Sequence, residues 1–181
     1  MNQVDIINSI YKYYPIALSA FEEPYYNTDE HKRLIEIKAL GNKAWDRFFS
    51  VMTTTFDSEY VNDRTENCPS NQCVINIYKG DLLFEVVVLI SKLVPQYTYY
   101  VSRNYVNRQE IRTEETGKKT NEAFPEIEAE ISFIISTLQK HFQYTLIQES
   151  DYNIVILDIS TNNKSLGKAT IFDAIFTDSK I

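Results

Sequence analysis

The chain has 181 residues, of which 44% are hydrophobic and 24% charged, so its size and composition are those of one globular domain with a sizeable core. Its 18 basic and 25 acidic residues give a net charge of −7, and the sequence lacks the basic stripe that binds nucleic acid. The four glycines are widely separated, which excludes a dinucleotide-binding fingerprint, a P-loop and a nucleophile elbow.

Helical spacing of apolar residues predicts two helices in the first third of the chain. Apolar side chains recur every three or four positions over residues 4–14, until a proline ends the pattern. Thr28 precedes two acidic residues, as an N-cap does, and predicts a long helix that runs to about Thr55 with Gly41 near its middle. The mostly polar residues 56–72 then predict a loop.

Three stretches rich in β-branched and aromatic residues follow and predict an antiparallel meander. They span residues 74–78, 82–93 and 97–106, and a Lys-Gly-Asp turn at residues 79–81 joins the first two. Residues 107–121 are polar and predict an exposed loop.

The last third of the chain predicts one strong helix and a final hairpin. Pro125 suits the first turn of a helix whose apolar stripe extends from Ile127 to Phe142. Residues 144–148 and 153–160 predict two strands joined as a hairpin, and Thr170 can cap a short final helix.

This order of elements predicts a single α+β domain over residues 1–181. It has N-terminal helices, an antiparallel sheet of about four to five strands, and a long amphipathic helix inserted before the last hairpin. We expect helices to cover one face of the sheet. No apolar stretch reaches the ~20 residues of a membrane span, and the N-terminus lacks a basic signal-peptide region, so we expect a cytoplasmic protein without a membrane partner.

The Tyr-rich third strand predicts a binding surface. Strand alternation places Tyr97, Tyr99, Arg103 and Tyr105 on one face, and these residue types are enriched where proteins bind each other. The alternative interpretation is that this face packs under a helix, because tyrosine is also a good strand former.

Residues suited to catalysis or metal binding are few. Cys68 or Cys73 with His31 or His141 would form a nucleophile and base only if folding brought them together, and no local motif indicates this. The acidic segment 57–66 has neither the turn glycine nor a terminal glutamate at the spacing of a calcium-binding EF-hand. We therefore predict no catalytic residue, no metal and no cofactor.

These observations favour a non-enzymatic protein-binding domain whose acidic, Tyr-rich surface binds a protein partner, with a basic partner the better match in charge. In size and acidity the chain resembles bacterial immunity proteins, a resemblance that implies a toxin as the partner. An alternative is a small-molecule-binding protein or an enzyme with a pocket between sheet and helices. Self-association as a homodimer, through a sheet edge or a helix, is a third hypothesis.

Overall fold

The N-terminal part of the chain folds as four helices. In a computed structural model, the residues described are 2–65, 67–107, 110–119 and 124–178. The four helices are α1 (Gln3–Ile10), α2 (Glu23–Tyr26), α3 (Asp29–Ala39) and α4 (Lys43–Thr55).

The long helix predicted from Thr28 to Thr55 is two helices. Thr28 caps α3 as expected, because its hydroxyl oxygen accepts the His31 N–H. The chain leaves the helix at Leu40, and the side chain of Asn42 caps α4 by accepting backbone N–H groups. The apolar spacing alone predicted one continuous helix, but the Asn42 cap in the middle of that spacing starts a second helix.

The central sheet is an antiparallel meander, as predicted. Its strands are β1 (Val61–Asp63), β2 (Ser70–Lys79), β3 (Leu82–Ser91), β4 (Gln96–Asn107) and β5 (Glu110–Lys119), and their spatial order follows the chain. Gly80 has a φ of +61° and makes the tight turn between β2 and β3. A short sixth strand, β6 (Thr145–Leu146), pairs with β4 in parallel.

Two segments predicted to be loops contain strands. The structure places β5 within the polar residues 107–121, and β1 within residues 56–72. These two strands end the antiparallel path on either side, so each pairs with one antiparallel neighbour. Such an edge strand is held mainly by backbone hydrogen bonds to its one neighbour. Its side chains therefore need not alternate between apolar and polar, and the sequence shows no strand pattern.

The helix predicted after Pro125 is confirmed. A 3-10 turn at Pro125–Ile127 leads into α5 (Glu128–His141), which carries acidic residues in its first turn and basic residues in its last turn.

A small final hairpin is present, but its strands differ from the predicted ones. Residues 144–148 supply β6, and the four-residue helix α6 (Glu149–Tyr152) separates them from the hairpin. The hairpin pairs β7 (Val155–Ile156) with β8 (Ala169–Thr170). Thr170 caps the following turn by accepting the Asp173 N–H, and a π-helical turn then spans Asp173–Thr177.

Helices cover both faces of the sheet, which corrects the expectation of one covered face. On one face, α4 and α5 pack against alternate residues of the sheet. The buried strand residues on that face include Cys73, Ile75, Phe84, Val86, Val88, Tyr97 and Val101. On the other face, the π-helical turn packs against β2 and β3, and apolar residues of α1 and α3 belong to the same core as Val74, Val87 and Leu89. This second layer forms because the terminal segments also carry apolar faces that must be buried.

Candidate binding surface

The four residues predicted to form a binding surface lie on the face of β4 that is directed toward α4 and α5. Tyr97 is only 3% exposed and belongs to the core beneath the helices. Tyr99 and Arg103 are half-buried, and the Arg103 guanidinium lies 3.7 Å from the Glu126 carboxylate. Tyr105 is 53% exposed. The structure therefore packs the first half of this face under the helices and leaves its far end in solvent.

The gap between α5 and the sheet is apolar and narrow. Its lining includes Val86, Val88, Tyr97, Tyr99 and Leu138, and it has no space for a water molecule. Burial raises the pKa of the Tyr97 and Tyr99 hydroxyl groups, so both remain protonated at neutral pH. This gap is a packed interface between a helix and a sheet.

The opposite face of the sheet is covered at one end only. The end near Ser70 and Ser91 is buried by α1, α3 and the π-helical turn. At the other end the described helices leave strand residues half-buried or exposed, and we call this region the open sheet face. Its strand residues are Asn76, Tyr78, Leu83, Glu85, Tyr100, Ser102 and Asn104, and Arg64, opposite Gln72 just after β1, lies at its edge.

An acidic residue lies between two tyrosines on the open sheet face. Glu85 on β3 is directly opposite Asn76 on β2 and Ser102 on β4. Tyr78 and Tyr100 are each two residues away from those partners, on the same face and on opposite sides of Glu85. Tyr78 is 49% exposed and Tyr100 is 37% exposed, so both rings reach solvent.

The charges near Tyr100 act on its hydroxyl group in opposite directions. Burial, and then the nearby Glu85 carboxylate, raise the pKa of Tyr100, whereas the Arg64 guanidinium lowers it. Glu85 lies on the strand next to Tyr100, whereas Arg64 follows β1 and its backbone N–H donates to the Gln72 carbonyl of β2. On the β2 side, the ring of Tyr60 packs edge-on against Tyr78 with centroids 5.4 Å apart.

The thiols and imidazoles considered for catalysis lie in structural positions. Cys73 is in the core beneath α4 and α5, and burial, with a smaller effect of nearby Asp63, raises the pKa of its thiol to about 12. A catalytic thiol needs a lowered pKa, so Cys73 is poorly suited to nucleophilic attack. His31 lies on α3, at the other face of the sheet, with its ring about 5 Å from the ring of Tyr25.

Cys68 and His141 complete this set. Cys68 is buried in the turn that precedes β2, and His141 is half-buried at the C-terminal end of α5. An imidazole at this helix end has a structural role when protonated, since positive charge there complements the helix dipole.

A buried ion pair joins α3 to the C-terminal segment. The Lys38 ammonium group lies 3.2 Å from the Asp178 carboxylate, which also accepts hydrogen bonds from the Tyr14 hydroxyl and the Asn162 N–H. The four residues are distant in the chain and carry no shared motif, so no signal in the sequence could have indicated this cluster. Its groups bond to one another, which gives it a structural role.

Within the described ranges, no three His, Cys, Asp or Glu side chains converge as a metal site would require. Among those same residues, no helix is both long enough and apolar enough to span a bilayer. Comparisons of the chain with known protein families, with curated proteins and with solved structures found no match.

Proposed function

We propose that this chain is a non-enzymatic protein-binding domain that uses the open sheet face to bind a basic protein. The observation that carries the proposal is that helices cover one end of this face and leave Tyr78 and Tyr100 exposed at the other. Exposed tyrosines supply large contact areas at low entropic cost, and they are enriched at the centres of protein interfaces.

The charge of the chain supports a basic partner. The net charge is −7: residues 1–60 carry −3, residues 121–181 carry −5, and residues 61–120, which hold the open sheet face, carry +1. A field of this sign accelerates encounter with a cationic protein and disfavours acidic ones. Charge complementarity of this kind acts mainly on the association rate, so the salt dependence of binding reports on it directly.

Cytoplasmic residence and a toxin as the partner belong to the same proposal. The free Cys73 thiol is what a reducing compartment maintains, and the similarity to bacterial immunity proteins in size and acidity supports the toxin. Such a partner requires surface complementarity and no catalytic group on this chain.

The test compares two cross-linking positions in a lysate of the cells that produce the protein. A photo-reactive amino acid replaces Leu83, which is half-buried on the open sheet face, or Ser136, which is exposed on α5. We expect position 83 to cross-link one basic protein, in an amount that falls when the lysate is brought to high salt before irradiation. Position 136 is the matched control.

Three outcomes would contradict the proposal. The first is that both positions give the same products, which would indicate contact without a preferred face. The second is that position 83 gives no product. The third is that position 83 cross-links a second copy of the chain, which would indicate a homodimer in place of a complex with another protein.

A further inference from the structure

We propose that Glu85, Tyr78 and Tyr100 form a receiving site for one arginine side chain of the partner. This inference rests on the proposed function, because it names the chemistry by which the open sheet face recognises a basic protein. It commits to a guanidinium group as the occupant.

The register of three strands defines the site. Glu85 is on the middle strand, and each tyrosine is its diagonal neighbour on the strand to one side. Diagonal neighbours on one face of a sheet are about 7–8 Å apart, which long and aromatic side chains bridge. A cation paired with the Glu85 carboxylate would therefore lie within reach of an aromatic ring on either side, since cation–π attraction extends to about 6 Å from the ring centroid.

The partial burial of Glu85 strengthens this arrangement. Its side chain is half-buried between neighbouring strands, and its diagonal neighbours Tyr78 and Tyr100 are exposed. A carboxylate in such a position has lost part of its hydration, so an incoming cation gains more than it would from a fully exposed acid.

The geometry favours arginine over lysine. A guanidinium is planar, so it can donate two parallel hydrogen bonds to the Glu85 carboxylate while its flat face stacks on a tyrosine ring. A lysine ammonium is a compact and strongly hydrated charge without a flat face. It therefore cannot form two parallel hydrogen bonds to the carboxylate and stack on a tyrosine ring at the same time.

A basic residue at the β1 side of the open sheet face gives the proposal a second consequence. Arg64 is exposed, its backbone N–H donates to the Gln72 carbonyl next to β1, and its charge lowers the pKa of the Tyr100 hydroxyl. Its positive charge opposes the entry of another cation. Removal of this charge by Arg64→Ala should therefore tighten binding, whereas removal of an unrelated surface charge should not.

The probe for the test is a hexa-arginine peptide, titrated into the purified full-length chain and followed by backbone amide NMR. We expect chemical shift changes to centre on β3 and β4 around Glu85 and Tyr100. Hexa-lysine should bind more weakly than hexa-arginine. A hexa-glutamate peptide should cause no shift at these positions.

Variants separate the parts of the site. Glu85→Gln and Tyr100→Leu should each weaken hexa-arginine binding by about five- to tenfold, whereas Tyr100→Phe should retain it because the ring remains. Glu128→Gln is the matched control, because Glu128 is an exposed acid on α5, away from the open sheet face. Fluorescence of Trp45, the single tryptophan, checks that each variant is folded.

The proposal is overturned if Glu85→Gln and Glu128→Gln weaken binding equally, or if the shifts centre on the acidic residues of α5 instead. Its failure is distinct from failure of the proposed function. A basic protein cross-linked at position 83 whose affinity is unchanged by Glu85→Gln would keep the function and reject the arginine site. If hexa-arginine binds around Glu85 but no protein is cross-linked at position 83, the arginine site would be kept and the proposed function rejected.

Discussion

The buried ion pair between Lys38 and Asp178 makes a strong prediction about stability. The Lys38→Met variant keeps an apolar stem of similar length and removes the ammonium group. The Lys38 side chain is 7% exposed, and the Asp178 side chain is fully buried. After the substitution the carboxylate would retain only the hydrogen bonds from the Tyr14 hydroxyl and the Asn162 N–H.

The expected loss is large compared with the total stability. Removal of one partner from a buried ion pair typically costs about 3–5 kcal/mol, because a charge is left without compensation. The two remaining hydrogen bonds of Asp178 place Lys38→Met near the lower end, at about 3 kcal/mol. Natural domains have a total unfolding free energy of about 5–15 kcal/mol, so the variant should be clearly less stable and still folded.

Urea unfolding followed by Trp45 fluorescence measures this loss, because Trp45 is buried and is the single tryptophan. The control is Lys79→Met, which breaks a more exposed ion pair with Glu130 and should cost less than about 1 kcal/mol. Replacement of both members of the buried pair by apolar residues should cost less than the sum of the single replacements. Equal losses for the two single lysine variants would refute the argument.

Four further predictions concern individual side chains. Thr28→Ala should cost about 1 kcal/mol in urea unfolding, because the cap on the His31 N–H is lost. In a Cys68→Ser background, Cys73 should resist alkylation in the folded state and react after unfolding. Because its folded pKa lies above the ordinary value of 9.0, this thiol contributes stability that is lost as pH rises from 9 toward 12, a loss that Cys73→Ala should lack. Tyr97→Ala should cost about 3–5 kcal/mol and Tyr105→Ala less than about 0.5 kcal/mol in the same unfolding assay, since only the first ring is buried.

The sequence predicted the elements that carry a strong apolar period. The stripe from Ile127 to Phe142 gave α5, and the β-branched and aromatic runs gave β2, β3 and β4 within a few residues of their ends. In these elements the local pattern and the tertiary environment impose the same conformation, because each buries one regular face.

The sequence failed where pairing or capping determines conformation. Polar residues 110–119 form β5 because β4 offers its backbone groups as partners. Residues 145–146 form a strand as predicted, but this strand pairs with β4 and not with residues 153–160. The break between α3 and α4 depends on the Asn42 cap, a local feature that the continuing apolar spacing concealed. The single domain over residues 1–181 stays a prediction.

The sequence by itself determined that β4 has two distinct faces, with Tyr97, Tyr99, Arg103 and Tyr105 on one and Tyr100 on the other, because side chains alternate along any strand. Only the tertiary structure decided which face the helices cover at each end of the sheet. The first face lies largely beneath α4 and α5, and the second is left open around Tyr100. The physical reason is that alternation is a local property of the backbone, whereas burial depends on which distant segments pack against the strand.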